Sequence, residues 1–506
     1  MHSLVGRPLR GLRTTHRRHF RTMRHTNTLS ATLAALLLTG CAVGPDYQPP
    51  VIKSPPAFRT ADDSTDGSTL TGTGQPELTA PPAKPTDFGA APWWDVYTDP
   101  ALTSLIQEAL ASNYDIAIAA TRVEQARQAV ATARSGYYPS VNYSGAASRG
   151  RNQFSGNPSP TLGTTGDDAT VVVGASWELD LWGRVRRMDE SARARYLATE
   201  EARNAVITTL IADVAQAWFE LIELDAELTI AKDTRDSFQR SYTLFNERLK
   251  GGIASTIETA RAEAAVAQTA AAIPEIERAI ILKENQINLL LGRAPGPITR
   301  QATLDTLVAP TPLPAGLPAD LLARRPDLRR SEQLLRSANA DIGVAIADYY
   351  PRISLTGALG RISPDLSDIT HGSGNLWSIL GGLTGPIFQG GRIKASVAAA
   401  RARWEQARLE HEQSVLNALN EVSEALVSRE KIVTTRAEQE RRAAALQQAV
   451  KISLDRYDAG RASYYEVLEA QQQLFPAQTD VARARRDQHL ALVRLYRSLG
   501  GGWSAP

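Results

Sequence analysis

The chain has 506 residues, 56 basic and 54 acidic, with 43% hydrophobic content but only three methionines, nine phenylalanines and one cysteine. Seven arginines and no carboxylate fall in residues 1–40, which leaves 49 basic against 54 acidic residues beyond, a net charge of −5. That balance excludes a basic nucleic-acid footprint there. The lone cysteine excludes an intrachain disulfide framework, and His371, His411 and His489, the histidines beyond residue 40, show no metal-ligand spacing.

An apolar run from Leu33 to Leu38 leads through Thr39 and Gly40 to Cys41. It is too short to span a bilayer, and small residues precede the cysteine as in a secretory signal with its cleavage site. The pattern is similar to the bacterial lipobox, in which the cysteine becomes the lipidated first residue; the plain alternative is a free buried thiol. Residues 1–40 are therefore a predicted signal peptide, with Met23 as a second candidate start because residues 1–22 are long and Arg-rich. From Cys41 to about residue 92 the chain is rich in Pro, Thr, Gly, Ser and Asp, as in "ADDSTDGSTLTGTGQ" (61–75). It lacks the apolar residues to bury itself and reads as a lipidated flexible tether. Order is expected from "PWWDVYTDPALTSLI" (92–106), where Trp93 and Trp94 precede a helix.

An internal repeat organises the remainder. Pro139 answers Pro351, and Asp115 answers Asp327, at an offset of 212. Gly183 in "WGRVRRM" answers Gly391 in "GGRIKAS", and Gly252 in "KGGIAST" answers Gly460 in "DAGRASY", at an offset of 208. The four-residue change falls in a strand-bearing segment, where a loop tolerates it. The first repeat covers 93–291 and the second 321–506, joined over 292–320 by a Pro-rich connector. Each reads as helix, two strands, very long helix, turn, helix. No proline lies in the 69-residue intervals from Gly183 to Gly252 and from Gly391 to Gly460. A continuous helix over either would be about 100 Å long. Val415, Leu419, Val422, Leu426 and Val433 follow a coiled-coil seam, and so long a helix needs partners along its length.

Tyr137-Tyr138-Pro139 and Tyr349-Tyr350-Pro351 each break a helical pattern and open a strand, predicted at about 140–181 and 352–388. Over 170–181, Val171, Val173, Ala175, Trp177, Leu179 and Leu181 face one way, and Thr170, Gly174, Ser176, Glu178 and Asp180 the other. Trp377, Ile379, Leu383 and Ile387 share a phase in the second pair. One apolar face and one small or polar face suits a sheet between lipid and water, although a half-buried sheet in a soluble domain has the same period. Counting separates the two readings. Open strand edges are not tolerated in hydrocarbon, and single-chain barrels start at about eight strands. Four strands in a membrane therefore require copies from other chains.

Four phrases carry a family resemblance: "CAVGPDYQPP" (41–50), "LLARRPDLRRSEQLLRSANADIGVAIADYYPRISLTG" (321–357), "GPIFQGGRIKASV" (385–397) and "RYDAGRASYYEVLEAQQQL" (456–474). The chain resembles the TolC-like outer-membrane efflux proteins, in their NodT-type lipoprotein branch, from Cys41 to about Trp503. The resemblance implies an α+β membrane protein: a homotrimer whose twelve-stranded β-barrel, four strands per chain, continues into a long periplasmic α-helical barrel. It also implies a passive exit duct in a tripartite efflux system, with a periplasmic membrane-fusion adaptor and an inner-membrane pump of the resistance-nodulation-division type as partners. No catalysis, cofactor or metal is implied. Ala42, standing where an Asp would retain the protein at the inner membrane, points by the same resemblance to outer-membrane lipid.

In the family the periplasmic end closes beside a glycine turn. Matched onto residues 456–470, this makes Glu469, Tyr465, Glu466, Tyr457 and Arg461 the gate candidates, with Arg456 as a second basic group. Arg461 stands directly after Gly460 and Ala462 follows, which departs from relatives with a basic residue one place later. Glu466 has two readings, a pore carboxylate or the partner of Ser463 in a capping box like that of Ser255 and Glu258. Glu469 also has two, a charge ring at the axis or a solvated helix face. The rival function is a periplasmic coiled-coil structural lipoprotein without a pore. An enzyme has little support, since the segment after Cys41 carries no Gly-x-Ser-x-Gly, phosphate loop or His-Glu-x-x-His.

Overall fold

The computed structural model describes residues 42–51, 55, 58, 92–151, 165–304, 306–307, 324–363, 368–371 and 374–501. The predicted signal segment 1–40 and Cys41 lie outside the described residues, as do 59–91 of the tether and 308–320 of the connector. Among the described residues the first repeat runs α1 (Trp93–Val96), α2 (Pro100–Ser112), α3 (Tyr114–Ser135), β1 (Ser140–Arg151), β2 (Thr165–Leu179), α4 (Arg184–Lys250) and α5 (Thr256–Leu290). The second runs α6 (Pro326–Ala347), β3 (Arg352–Ser363), β4 (Asn375–Thr384), α7 (Arg392–Asp458) and α8 (Tyr464–Ser498). The two long helices are each 67 residues, as the proline-free intervals imply.

The strands stop short of the expected Leu181 and Ile387. After β2 the chain must turn so that Asp180 can cap α4, accepting the amides of Val185 and Arg186, each at 2.9 Å. After β4, Pro386 has no amide to give the ladder. The expected tether differs as well. Residues 42–47 are held by hydrogen bonds to the protein, beginning with the Val43 amide on the Trp182 carbonyl at 2.9 Å.

The chain divides into two compact units. The first (Met1–Asp46, Ala131–Glu190, Asn339–Arg401) contains the sheet, whose strands pair antiparallel in the order β1-β2-β3-β4. The second (Tyr47–Val130, Ser191–Ala338, Ala402–Pro506) is helical. Its core gathers Leu102 and Ile106 of α2, Ile211, Val214, Trp218 and Leu221 of α4, Ile287 of α5, Val415 and Val422 of α7, and Leu495 of α8. Asp99 ties this core to a helix start: Oδ1 caps α2 at the Ala101 amide and Oδ2 accepts the Trp218 indole, both at 2.9 Å. One stretch of α4 is apolar enough to cross a membrane, and 61% of it is buried inside the chain; this core absorbs that apolarity. Of the proposed seam, Val415 and Val422 are buried and Leu419 and Leu426 pack on the core, while Val433 stands 50% exposed. A straight helix drifts about 20° per heptad from a strict seven-residue repeat, which carries the last seam position off the core face.

The repeat persists at the level of single hydrogen bonds. Asn113 Nδ2 donates to the Leu290 carbonyl at 2.8 Å, and Arg325 Nη1 to the Ser498 carbonyl at 3.0 Å. Both acceptors belong to the last turn of a helix that ends at a left-handed glycine, Gly292 (φ 70°) or Gly500 (φ 78°).

Glu223 and Glu227, one turn apart on α4, are buried against α8. Arg486 Nη1 lies 3.2 Å from Glu223, and Arg483 Nε lies 2.8 Å from Glu227. Burial and then the Glu227 carboxylate push Glu223 up to about 7, against the pull of both arginines. A carboxyl whose folded pKa exceeds its unfolded one binds its proton more tightly when folded, so its contribution to stability is lost as pH rises through about 7. Glu223→Gln is expected to flatten that loss. Calorimetry should show its melting midpoint gaining on the wild type more at about pH 8 than at about pH 5.5.

Candidate functional site

Cross-strand partners in an antiparallel sheet point to the same face, so the register sorts the strands. Val173 sits between Tyr143 and Leu359, and Leu359 opposite Trp377. Ala175 lies between Val141 and Gly357, and Gly357 opposite Ile379. Trp177 pairs with Leu355, and Leu179 with Ile353, itself opposite Leu383. Through these rows one face is therefore apolar across the strands, whereas Val171 lies between Gly145 and Arg361, itself opposite Asn375. Along β2 the apolar face runs from Val171 to Leu179, about 26 Å at roughly 3.3 Å per residue, or about 20 Å of height at a tilt near 40°, against the 25 Å or so of an outer-membrane apolar band. The other face offers Ser140, Asn142, Ser144, Gly174, Ser176, Ser354, Thr356 and Ser378, with Leu380 opposite Thr356 and with Val172, Ile362 and Leu376 toward the far end.

Helix and strand meet at the two Tyr-Tyr-Pro stretches. The Tyr137 and Tyr138 amides bond back to Arg134 and Ser135, and those of Tyr349 and Tyr350 to Ile346 and Ala347, at 3.0–3.1 Å. Pro139 and Pro351 then stand immediately before β1 and β3. At this end of the sheet, Trp177 donates its indole N–H to the Tyr137 carbonyl at 3.0 Å and Trp182 to the Pro351 carbonyl at 2.8 Å. Trp182 also stacks on Tyr350, with centroids 4.7 Å apart. Such amphipathic rings, apolar in body and bonded at the tip, suit a membrane–water boundary. Gly183 (φ 78°) and Gly391 (φ 85°) turn the chain into α4 and α7 in a conformation that other residues rarely adopt.

The far ends of the long helices form the second part of the site. Gly252 (φ 73°) and Gly460 (φ 70°) close the same motif: Ile253 and Arg461 reach back to the carbonyls of Arg248 and Arg456, at 2.9 and 2.8 Å. Beside these turns, Phe238 and Phe245 of α4 pack with Ala262 and Ala265 of α5 and with Tyr464, Val467 and Leu468 of α8, and Tyr457 lies against them. Arg248 donates to the Tyr457 hydroxyl, its guanidinium 4.7 Å from that ring's centroid. Burial raises the Tyr457 hydroxyl above the ordinary tyrosine range, with Arg248 opposing.

The other candidates are exposed, Arg461 in the turn and Tyr465, Glu466 and Glu469 on α8. Tyr465 is 56% exposed, with Arg261 5.6 Å from its ring centroid, and Glu469 accepts from Gln473 at 3.4 Å. Arg461 is exposed, and its carbonyl accepts from Arg456 at 3.4 Å. The two expected capping boxes differ. Glu258 accepts the Ser255 amide at 2.8 Å and completes the box, whereas Glu466 turns to Arg456, 3.7 Å away, and Ser463 caps without a side-chain bond. The reason lies one turn back: Arg248, the repeat counterpart of Arg456, is occupied by Tyr457, so only Arg456 is free to take a glutamate. Arg248, Phe245, Tyr464 and Arg261 were not picked out by sequence. Aligning the repeats at an offset of 208 sets Leu249 against Tyr457, and that unmatched aromatic was the available signal. Among the described residues no His, Cys, Asp and Glu cluster could hold a metal.

An amphipathic sheet with both edges open, bounded by aromatics where it meets helices, defines an outer-membrane channel whose wall is shared between chains. A model of the Outer membrane efflux protein family matches residues 105–293 and again 317–501, once per repeat, and the chain belongs to that family. It is 32% identical over 470 residues to the Cation efflux system protein CusC of Escherichia coli O6:H1, covering 93% of this chain and 97% of that one. It is 34% identical over 477 residues to the Solvent efflux pump outer membrane protein SrpC of Pseudomonas putida, covering 93% and 97%. The solved outer-membrane channel OprN superposes with a TM-score of 0.80 at 29% identity, covering 92% of this chain and 100% of that one. The protein is thus the outer-membrane channel of an efflux system, three copies closing a barrel of twelve strands, rather than a structural lipoprotein without a pore.

An arginine at the bilayer midplane of such a barrel costs about 2–4 kcal/mol. Ile379→Arg, on the apolar face, is expected to reduce heat-releasable trimer in outer-membrane fractions sharply. Ser378→Arg, one residue along on the opposite face, should leave trimer yield near wild type; equal losses would overturn the face assignment.

Proposed function

We propose that this channel is a passive duct anchored by a lipidated Cys41, gated at its helix turns, and coupled there to a periplasmic adaptor and a resistance-nodulation-division pump. The repeats at 93–291 and 321–506 each supply half of the wall and one turn. The carrying observation is the pair of unlike turns. The Gly460 turn brings a basic and acidic pair, Arg456 and Glu466, together beside Tyr457 and Arg248. The Gly252 turn instead exposes Ile253 (81%) and Ile257 (65%), an apolar surface suited to a helical adaptor. Energy comes from the pump, and no catalytic step is assigned to this chain.

Its relatives are named for cation efflux and for solvent efflux, so membership leaves cargo to this chain's own residues. After Cys41 the only methionine is Met188, which supplies no ladder of soft thioether ligands. The polar face of the sheet is mostly neutral hydroxyl and glycine at mid-height. Both features support a permissive duct for small molecules.

Single-channel recording in planar bilayers tests this reading. Wild-type trimers should conduct weakly, and Tyr457→Phe combined with Arg248→Met should raise conductance severalfold by releasing the turn. Glu469→Gln should lower cation preference, as removing an acidic ring does. Unchanged conductance in the first variant and unchanged selectivity in the second would remove the gate assignment. In cells, Cys41→Ser should abolish palmitate labelling.

A further inference from the structure

We propose that residues 43–47 are a structural staple, seated in a groove built for them, that stabilises the fold independently of any lipid on the chain. The contacts follow one another along the strap. The Val43 amide donates to the Trp182 carbonyl at 2.9 Å. Arg187 donates to the Val43 carbonyl at 3.3 Å, to the Gly44 carbonyl at 3.4 Å and to Asp46 Oδ1 at 2.7 Å. Asn339 donates to the Pro45 carbonyl at 2.9 Å. Tyr47 donates to Glu332 at 3.4 Å, and Arg336 lies 4.8 Å from its ring centroid. The strap thereby joins the β2–α4 junction of the first repeat to α6 of the second.

The groove has the negative shape of its occupant. A Cβ on Gly44 would lie 2.5 Å from Gly343 Cα, and one on Gly343 would lie 2.9 Å from the Val43 carbonyl oxygen. A Cβ on Gly183 would lie 2.6 Å from Ala42. Arg187 is only 5% exposed. With the strap removed it keeps Glu190, at 2.8 Å, but loses three acceptors. Asp46 is itself 92% exposed, so the two carbonyl contacts and the packing of the strap matter more than that ion pair.

The internal repeat supplies the control. The counterpart of Gly183 is Gly391, where an added Cβ would meet nothing within 4 Å among the described residues. The counterparts of Arg187, Asn339 and Gly343 are Ala395, Arg127 and Ala131. The donors and the space occur only where the strap lies, so they belong to the strap rather than to the repeat.

The test replaces Val43–Tyr47 in the full-length chain by five Gly and Ser residues, keeping Cys41 and Ala42, beside Arg187→Met, Asn339→Ala and the combination of strap replacement with Arg187→Met. Palmitate labelling should match wild type in all four. The strap replacement should lower the melting midpoint of detergent-extracted trimer by at least about 5 °C. Adding Arg187→Met should lower it little further, because the two changes remove the same bonds. If the replaced strap yields no trimer, Asn339→Ala alone should still show a lowered midpoint. A wild-type midpoint in the strap replacement, or strictly additive losses, would overturn the staple. Transport is not the readout, so a failure here is separate from any failure of the duct reading.

Discussion

Among the described residues, the backbone N–H and C=O groups along the outer sides of β1 and β4 have no ladder partner, because each of these strands pairs on one side only. In water such an edge is a hazard; in hydrocarbon each unpaired group costs several kcal/mol. With one face of the sheet apolar from the Val173 row to the Leu179 row, the chain can neither leave the membrane cheaply nor sit in it alone. Closure with further copies of the chain follows from that constraint. It also explains why the sheet carries little core of its own: Gly145, Gly174, Gly357 and Gly381 need no filling where lipid covers one face and water the other. The packed core lies instead among the helices, where Trp218 and its neighbours bury their surface within one chain.

A repeated chain fits its two halves into non-identical surroundings, and the departures from repetition mark specialised places. Turn motifs, the Tyr-Tyr-Pro junctions and the Asn113 and Arg325 clasps recur with nearly the same bonds. Three features do not. Tyr457 has a leucine as its counterpart, Glu466 pairs with Arg456 where Glu258 caps a helix, and the strap fills one of two equivalent junctions. The first two are linked by competition for arginine. Once Tyr457 engages Arg248, the carboxylates of the two turns meet different neighbours and settle differently.

Much of this was legible in the sequence because the signals were local and doubled. Strand alternation, proline at the helix breaks, glycine at four left-handed turns and two proline-free intervals of equal length each have one physical reading, and each occurs twice. What escaped was set by tertiary competition. No local rule shows that Glu466 leaves Ser463 for Arg456, since the capping pattern is the same at both turns. Nor does composition show the strap. "VGPDY" is rich in the residues of mobile chain, and it is ordered only because Arg187, Asn339 and Gly343, about 140 to 300 positions away, accept it. Strand ends slipped for a related reason: Asp180 gains more as a helix cap than as a strand residue.

Charge is distributed unevenly along the functional surface, and this bears on where a duct of this kind selects. On the polar face of the sheet the charged residues stand toward the ends, Glu178 and Arg352 at the helix end and Asp168, opposite Ser148, at the other, with hydroxyls, Asn142, glycine, alanine and aliphatic side chains between them. A neutral wall repeated three times offers no field to sort solutes by sign. The Gly460 turn and the start of α8 are different, carrying exposed Arg461, Glu466 and Glu469 within nine residues. The neutral middle of the sheet and the charged turn are therefore separate features of the chain.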